Sequence, residues 1–328
     1  MDFLQYTILE DDENRRLDRV LRKFLKDRLS LSDIYKSIRN GQIKVNNKKS
    51  KENYRTNKND IIYINKNIFD KQIDNKSTNK TINTPKIDVI FENQFVKIIN
   101  KPANISVQKS KKDEIALDDI IKQQYNPEKK SLSFLPGPLH RLDKKTTGLL
   151  VFSNNLVGAR EFSKILQNHN VTKTYLTILD GNLTENQKWI DYISKDNDSI
   201  NQNFKTVSVS NISSQLENGK EAVTEVFPIK AGFYNNKPIT FAKIIIHTGR
   251  THQIRSQCAF HGFPLLGDSA YNKKTKNQSN NVDFFLHSYS LTFFEDNILE
   301  LPKEIFAPIP KNFSIFLKNY LSIENFAL

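Results

Sequence analysis

A charged loop directly precedes an apolar run and contains residue types suited to acid–base or covalent chemistry. The loop reads His140-Arg141-Leu142-Asp143-Lys144-Lys145, and the apolar run Leu149–Phe152 follows it. A carboxylate held among cations at the start of a strand can act as a nucleophile or as a general base. An aspartate in this place is also a common turn former, so the loop by itself leaves both interpretations open.

The glycines and the metal-ligating residue types exclude several enzyme classes. No two glycines are spaced as G-x-G, so the dinucleotide-binding fingerprint is absent. The segment from Gly262 to Gly267 resembles a phosphate loop, but Asp268-Ser269 follows where a lysine is needed. The spacing of His247, His252, Cys258 and His261 matches no zinc-ligand pair, and there is one cysteine. We therefore expect neither a cofactor nor a metal.

Several segments, taken in order along the chain, resemble one enzyme family. His140–Phe152 resembles the H-R-L-D-x-x-T-S-G-L-L signature of the pseudouridine synthases that include the RluA, RluC and RluD types. Further matches to this family are Lys101-Pro102-Ala103, Lys173-Thr174-Tyr175, Thr248–Arg255, Leu266-Gly267-Asp268 with Tyr271, and Leu286-His287-Ser288. Each is a weak signal alone, but their number and order make the resemblance specific.

This resemblance implies a fold, a reaction and a set of site residues. The expected reaction isomerises uridine to pseudouridine in large-subunit (23S) ribosomal RNA, with Asp143 as the catalytic carboxylate and without a cofactor. Tyr175 is expected to stack on the target base, and Arg255 to pair with Asp143. The other residues expected to contact RNA in this part of the chain are His140, Arg141, Lys173, Arg250, His252 and Gln253.

The chain also departs from the family pattern. Thr147 stands where the family usually has serine, which keeps the hydroxyl. Gln108 stands where histidine is common, so contacts near that loop are expected to differ. A polar insert, Asn182–Gly219, matches nothing recognisable, and the sequence assigns it no role.

Positive charge is concentrated near the amino terminus. The net charge is +13, and the segment Arg15–Lys58 has 15 Lys/Arg against 4 Asp/Glu, a net of +11. Such a concentration favours a nucleic-acid partner, although a solvated surface is the alternative. Apolar residues at helical spacing predict a basic amphipathic helix, and they are Leu17, Val20, Leu21, Phe24 and Leu25. Ser32 is expected to cap a second helix that ends near Gly41.

Short strands at Ile43–Val45 and Ile61–Ile64 complete this amino-terminal unit. The unit resembles the RNA-binding module named after ribosomal protein S-four. Its arrangement looks most like that of the RluC type, and members of the RluD type carry the module too. Its expected RNA contacts are Arg16, Arg39 and Lys44. We therefore predict a basic RNA-binding domain over residues 1–65, a linker over 66–85, and a catalytic domain over 86–328.

Short β-rich runs with irregularly placed helices predict an α+β catalytic domain built on a large mixed, mainly antiparallel sheet. The predicted strands are Ile87–Phe91, Phe95–Ile99, Leu149–Phe152, Tyr175–Leu179, Ala222–Phe227, Phe241–His247 and Phe284–Phe294. The predicted helices are Glu114–Tyr125, Val157–His169, Thr251–Phe260 and Phe313–Tyr320.

Composition indicates where the protein works. No apolar run approaches the roughly 18 residues of a membrane span, no secretory signal is seen, and the lone Cys258 suits a reducing compartment. We expect a cytoplasmic monomer with ribosomal RNA as its partner and no membrane contact. Two rival functions are a non-catalytic RNA-binding ribosome-assembly factor that retains the fold, and a different RNA-modifying or RNA-cleaving enzyme.

Overall fold

The protein's structure is a computed structural model, which describes a set of ranges along the chain. These are residues 2–26, 28–70, 87–109, 114–125, 131–195, 207–211, 219–272, 284–294, 297–324 and 326. The amino-terminal unit contains β1 (Phe3–Thr7), α1 (Leu17–Phe24), α2 (Leu31–Arg39), β2 (Ile43–Val45), β3 (Ile61–Asn65) and α3 (Asn67–Asp70).

The amino-terminal unit packs two helices on a three-stranded antiparallel sheet in the order β1-β3-β2. The apolar stripe of α1 is fully buried at Leu17, Val20 and Leu21, as the helical spacing predicts. The predicted cap at Ser32 is wrong, because α2 begins earlier and the Ser30 hydroxyl accepts the Asp33 N–H at 3.2 Å. Strand β1 was not predicted from the sequence, and Tyr6 is its one buried residue.

Part of the predicted linker is ordered. Asn67–Asp70 form α3, and Ile68 joins the core of the amino-terminal unit. Residues 71–86, which hold most of the predicted linker, lie outside the described residues.

The remaining strands form one large sheet. They are β4 (Asp88–Glu92), β5 (Val96–Lys101), β6 (Thr147–Ser153), β7 (Val171–Asp180), β8 (Gln187–Lys195), β9 (Val207–Ser210), β10 (Lys220–Tyr234), β11 (Lys237–Ile246), β12 (Leu286–Phe293) and β13 (Glu304–Phe306). Their order is β4-β5-β6-β12-β7-β11-β10-β8-β9, and β13 also pairs with β12. The β6–β12 pair is parallel and every other pairing in this sheet is antiparallel. The α+β prediction is confirmed.

Helices cover both faces of this sheet. They are α4 (Leu117–Gln123), α5 (Leu156–Gln167), α6 (Gln253–Phe260) and α7 (Lys311–Leu321). In β6, Leu150 and Phe152 join one core with α4 and α6, whereas Leu149 and Val151 join another with α5. The alternation of side chains along a strand therefore gives β6 two buried faces, which explains why its sequence is continuously apolar.

The polar insert supplies an edge of the sheet. Strand β8 pairs with β10, and β9 is the outermost strand. None of the helices in the described part of the chain is long and apolar enough to cross a membrane.

Candidate active site

A buried lysine holds the backbone of the loop that carries Asp143. Lys101 ends β5 and has no exposed surface. Its Nζ donates to the carbonyl oxygens of Pro102, Lys144 and Thr146 at 2.8, 2.9 and 2.7 Å. Burial lowers the pKa of Lys101 to about 7, and the negative charge of Asp143 opposes this shift. Because Lys144 and Thr146 follow Asp143 in the loop, their hydrogen bonds to Lys101 set the path of the loop backbone.

Arg255 lies between two carboxylates. Its Nη1 donates to Asp143 Oδ2 at 2.9 Å, while Nε and Nη2 donate to the two oxygens of Asp268 at 2.7 and 2.9 Å. Asp268 is 1% exposed, whereas the Asp143 side chain is 26% exposed. Of the two carboxylates, Asp143 is therefore the one that solvent reaches. The bidentate pair with Asp268 therefore fixes the guanidinium. The Nη1 atom of the fixed guanidinium then orients Asp143.

The positive charge of Arg255 is stabilised by its neighbours although the residue is buried. Burial works against the charge, but hydrogen bonds and attraction from Asp268 and then Asp143 raise the pKa of Arg255 above its ordinary value. The guanidinium carbon also lies 5.1 Å from the ring centre of Tyr271 and 4.7 Å from that of Phe284. These aromatic faces stabilise a cation while excluding water from it.

His252 lies on the other side of Asp143. Its Nε2 is 3.8 Å from Asp143 Oδ1, and its Nδ1 is 2.9 Å from the Tyr271 hydroxyl oxygen. That hydroxyl also accepts the backbone N–H of Val207, at 3.0 Å, from edge strand β9. Burial lowers the pKa of His252, the negative charge of Asp143 opposes this shift, and the charge of Arg255 adds to it. The polar insert thus contacts the surroundings of Asp143.

Strand β7 carries Lys173 and Tyr175 at alternate positions, so both side chains point to one face of the sheet. Tyr175 is 5% exposed and shares a core cluster with Leu142, the residue before Asp143. Burial raises the pKa of Tyr175 to about 12, and the Asp143 charge acts in the same direction. Tyr175 is therefore a neutral aromatic side chain beside the carboxylate.

His140 and Lys173 are neighbours within this site. The His140 Nε2 accepts the Val151 N–H at 3.2 Å. Burial lowers the pKa of His140 to about 3, and the Lys173 charge contributes to the shift. Burial also lowers the pKa of Lys173. His140 is thus a neutral residue that anchors the loop to β6.

Other residues predicted to contact RNA lie in different surroundings. Gln253 is 3% exposed, and its amide bonds within the protein to Val223, Thr224, Thr248 and Arg250. These hydrogen bonds hold the 248–253 turn, and an RNA contact of Gln253 stays a prediction. Arg250 donates to the Glu221 carbonyl oxygen at 2.8 Å, and Arg141 is exposed near His252.

The basic residues predicted to contact RNA in the amino-terminal unit belong to a separate surface. Arg39 is exposed, Arg16 pairs with Asp18 through two hydrogen bonds, and the Lys44 Nζ lies 4.7 Å from the ring centre of Phe3. None of these observations tests RNA binding, so the three contacts stay predictions.

Three residues of the site had no role in the sequence analysis. Lys101, Asp268 and Tyr271 lie in segments that matched the family, but their contacts with the Asp143 loop and Arg255 depend on folding. The described residues contain no group of three or more His, Cys, Asp or Glu placed to hold a metal ion.

Comparisons with known proteins relate this arrangement to one family. A sequence profile for the family described as RNA pseudouridylate synthase matches residues 96–260. A ribosomal large subunit pseudouridine synthase C from Buchnera aphidicola subsp. Baizongia pistaciae is 29% identical over 331 residues, which cover 96% of each chain. A ribosomal large subunit pseudouridine synthase D from Borreliella burgdorferi is 30% identical, over 71% of this chain and 68% of the relative.

The fold agrees with a solved structure. Human RNA pseudouridylate synthase domain containing 1 superposes with a TM-score of 0.57 at 22% identity, covering 69% of this chain and 84% of the human chain. At this identity the similarity concerns the fold.

Proposed function

The chain belongs to the RNA pseudouridylate synthase family, and from that premise we propose that it converts specific uridines of large-subunit ribosomal RNA to pseudouridine with Asp143 as the catalytic carboxylate. The enzyme class follows from the family. The ribosomal substrate is supported by the names of relatives similar over nearly the whole chain. The role of Asp143 is supported by its place in the site.

The observation that carries the proposal is the chain of ion pairs Asp143–Arg255–Asp268. The Asp143 side chain stays 26% exposed while its Oδ2 is held at 2.9 Å by a fixed guanidinium. A reacting carboxylate needs this combination of access and fixed orientation. A carboxylate that served only as a turn former would not need a buried arginine held by a second carboxylate.

The reaction breaks the bond between the ribose and N1 of uracil and forms one from the ribose to C5, with no atom gained or lost overall. Asp143 acts either as a nucleophile on the ribose or as a base that removes a ribose proton. Both routes require the uridine to leave its stack. Tyr175, a neutral aromatic beside Asp143, provides the face on which the uracil stacks, and the exposed Arg141 occupies the space that the base leaves.

Basic and polar residues around Asp143 are proposed to receive the flipped nucleotide and its phosphates. Lys173 and His140 lie on the sheet side of the site, and His252 lies just before α6. Arg250, whose guanidinium donates to the Glu221 carbonyl oxygen, is proposed to contact RNA farther from Asp143. The His252 ring lies 3.8 Å from Asp143, and burial lowers its pKa, which favours the neutral ring as a hydrogen-bonding partner for the nucleotide.

Mapping pseudouridines in ribosomal RNA tests the proposal. RNA from a strain lacking this gene is compared with RNA from the same strain carrying the restored gene or its Asp143→Asn variant. We expect at least one large-subunit pseudouridine to disappear with the gene and to return with the wild-type copy alone. If all pseudouridines persist without the gene, the substrate assignment fails. If Asp143→Asn restores them, the chain has another catalytic group.

The same comparison separates the enzyme from a non-catalytic assembly factor. An assembly factor would leave every pseudouridine in place and alter the amount of mature large subunits instead. Restoration of ribosome assembly by Asp143→Asn without restoration of the modification would show that both activities reside in one chain.

A further inference from the structure

A buried carboxylate joins the amino-terminal unit to the catalytic unit. Asp12 has no exposed surface, although it lies in an acidic run at residues 10–13. Its Oδ2 accepts the Leu132 N–H at 2.6 Å, and its Oδ1 accepts the Ser131 hydroxyl at 2.9 Å and the Ser133 N–H at 3.0 Å. The Ser133 hydroxyl also donates to Oδ1. Four donors from one short segment satisfy this carboxylate, as a buried charge requires.

The segment Ser131–Phe134, called here the docking segment, is also held by apolar contact. Leu132 is 5% exposed and belongs to the core of the amino-terminal unit, together with Leu17 and Leu21 of α1. Arg15 donates to the Ser133 hydroxyl at 2.7 Å. The docking segment therefore completes the core of the amino-terminal unit, although it lies more than a hundred residues after Asp12 and α1 in sequence.

A second contact lies close to the first. The Leu156 N–H, at the start of α5, donates to Asp11 Oδ1 at 3.0 Å. Because Asp11 and Asp12 bind two different parts of the catalytic unit, they restrict rotation of one unit against the other. A single contact would still allow the two units to rotate about it.

The docking segment leads directly into the loop of the candidate active site. After Phe134 the backbone is fixed to β6, since Ser153 N–H donates to Gly137 O at 2.9 Å and Leu139 N–H to Val151 O at 2.8 Å. Ser133 precedes Asp143 by ten residues, which limits their separation to about 35 Å even in a fully extended chain. A fixed backbone path thus connects the docked unit to Asp143.

We propose that Asp12 is a specificity-determining positioning residue, which holds the basic amino-terminal unit at a fixed distance and orientation from Asp143. The inference rests on the proposed function. RNA bound to a rigidly placed basic surface offers the active site only those uridines that lie at the matching distance along its fold. Phosphate contacts fix register in this way without reading sequence. Without the docking, the same basic residues bind RNA from a loosely tethered unit, and the enzyme discriminates poorly between uridines.

The role of the docking differs physically from that of the charge. A fixed second binding surface raises the effective concentration of the correct uridine at Asp143, whereas a loose one spreads that gain over many uridines. Removing Asp12 leaves four donors without their acceptor but removes no residue from the basic surface. The two effects are therefore separable by mutation.

The full-length variant Asp12→Ala tests the inference against Glu13→Ala, which removes the same charge from an exposed neighbouring side chain. Hydrogen exchange reports the docking itself: the amides of Leu132 and Ser133 are expected to exchange faster in Asp12→Ala and to stay protected in Glu13→Ala. Two RNAs report the consequence, a long large-subunit transcript that contains the mapped target and a short stem-loop that contains the target alone.

On the long transcript, Asp12→Ala is expected to lose about tenfold in kcat/KM at the target and to modify neighbouring uridines. On the short stem-loop its kcat is expected to stay within about twofold of wild type, since Asp143 and its surroundings are unchanged. Asp12→Asn keeps one acceptor oxygen and is expected to fall between the two on the long transcript. The Ser131→Ala/Ser133→Ala double variant is expected to resemble Asp12→Ala.

Three results would overturn the inference. The first is equal kcat/KM of Asp12→Ala and Glu13→Ala on the long transcript. The second is unchanged protection of the Leu132 and Ser133 amides in Asp12→Ala. The third is an equal loss of activity by Asp12→Ala on both RNAs together with a lower melting temperature, which would show a role in folding alone. If wild type modifies neither RNA, the proposed function fails instead. The positioning role is then judged from the footprint of the bound long transcript, and an unchanged footprint in Asp12→Ala overturns it.

Discussion

At the scale of single residues, the orientation of Asp143 depends on the shape of the Arg255 guanidinium. One edge of its guanidinium binds both oxygens of Asp268, and the remaining nitrogen reaches Asp143. A lysine ammonium has the same charge but no planar fork, so it cannot satisfy both carboxylates in fixed directions.

We therefore predict that Arg255→Lys lowers kcat by about 100-fold or more, because an Asp143 that is free to turn loses its reactive orientation. Turnover of a short target stem-loop measures this effect. Arg160→Lys is the control, since Arg160 is exposed on α5, and its kcat is expected to match that of wild type. Activity of Arg255→Lys within a few fold of wild type would mean that charge alone is sufficient.

His140 gives the folded protein a defined sensitivity to acid. Its folded-state pKa, about 3, lies below its ordinary value of 6.5, so between these values the unfolded chain binds a proton that the folded chain does not. The stability that His140 contributes is therefore complete above pH 6.5 and is lost as the pH falls from 6.5 toward 3.

Between pH 7 and pH 5, wild type is expected to lose about 1–2 kcal/mol more unfolding free energy than His140→Gln, whose amide oxygen can still accept the Val151 N–H. Urea unfolding at the two pH values measures the difference. His169→Gln alters an exposed histidine and is expected to follow wild type. An identical pH dependence of wild type and His140→Gln would contradict the burial of a neutral ring.

The site was predictable from sequence where its residues belong to continuous motifs. Asp143, Tyr175 and Arg255 each lie in a recognisable local pattern, and the structure brings them to one place. The partners of Arg255 and of the Asp143 loop were not predictable, because the pairing with Asp268 and the three carbonyl contacts of Lys101 arise when separate segments fold together. The hydrogen bonds that Gln253 makes within the protein were not predictable for the same reason.

At the scale of elements, the Asp143 loop depends on how closely β6 approaches β12. Gly148 has a φ of +102° and pairs with Ser288 of β12. A Cβ atom at Gly148 would lie 2.2 Å from the Ser288 carbonyl oxygen. Both the backbone conformation and the contact therefore require glycine where the loop enters the sheet.

Gly148→Ala is expected to lower the unfolding free energy by about 3 kcal/mol or more, because backbone must move to make room. Gly137→Ala is the matched control, since a Cβ there meets nothing within 4 Å, and its unfolding is expected to stay close to wild type. Denaturant unfolding of both variants measures the difference. A Gly148→Ala protein as stable as Gly137→Ala would show that β6 and β12 are less closely packed.

The strongly apolar strands were predicted well, whereas the polar insert hid β8. The buried face of β8 carries Trp189, Asp191 and Ile193, and Ile190 on the other face is 52% exposed. A buried carboxylate and an exposed isoleucine obscure the alternation that identifies a strand. Asp191 is tolerated there because Gln257 and His261 of the facing helix region bond to it at 2.7 and 2.9 Å.

At the scale of the whole molecule, the sequence separated a basic unit from a catalytic unit but could not show that they dock. The acidic run at residues 10–13 has the composition of an exposed surface, and its contact with Ser131–Ser133 lies far away in sequence. Charge is easier to predict than docking, because a net of +11 over Arg15–Lys58 needs no knowledge of the fold.

If the amino-terminal charge binds phosphates, Arg39→Gln/Lys44→Gln should weaken binding of ribosomal RNA and make the slope of log affinity against log salt shallower by about one to two units. The control Lys303→Gln/Lys318→Gln removes the same charge from exposed positions near the carboxyl terminus and should leave the slope unchanged. Titrations at several salt concentrations measure both. Equal slopes for the two double variants would show that the amino-terminal charge is only a solvated surface.

The most direct test of the central claim measures RNA binding and turnover by Asp143→Asn on the same target RNA. The amide keeps the size of the carboxylate but removes its charge and reactivity. We predict that pseudouridine formation falls at least about 1000-fold while RNA affinity stays within about threefold of wild type. Asp88→Asn, at an exposed position, should leave both unchanged. Turnover by Asp143→Asn within a few fold of wild type would contradict the account.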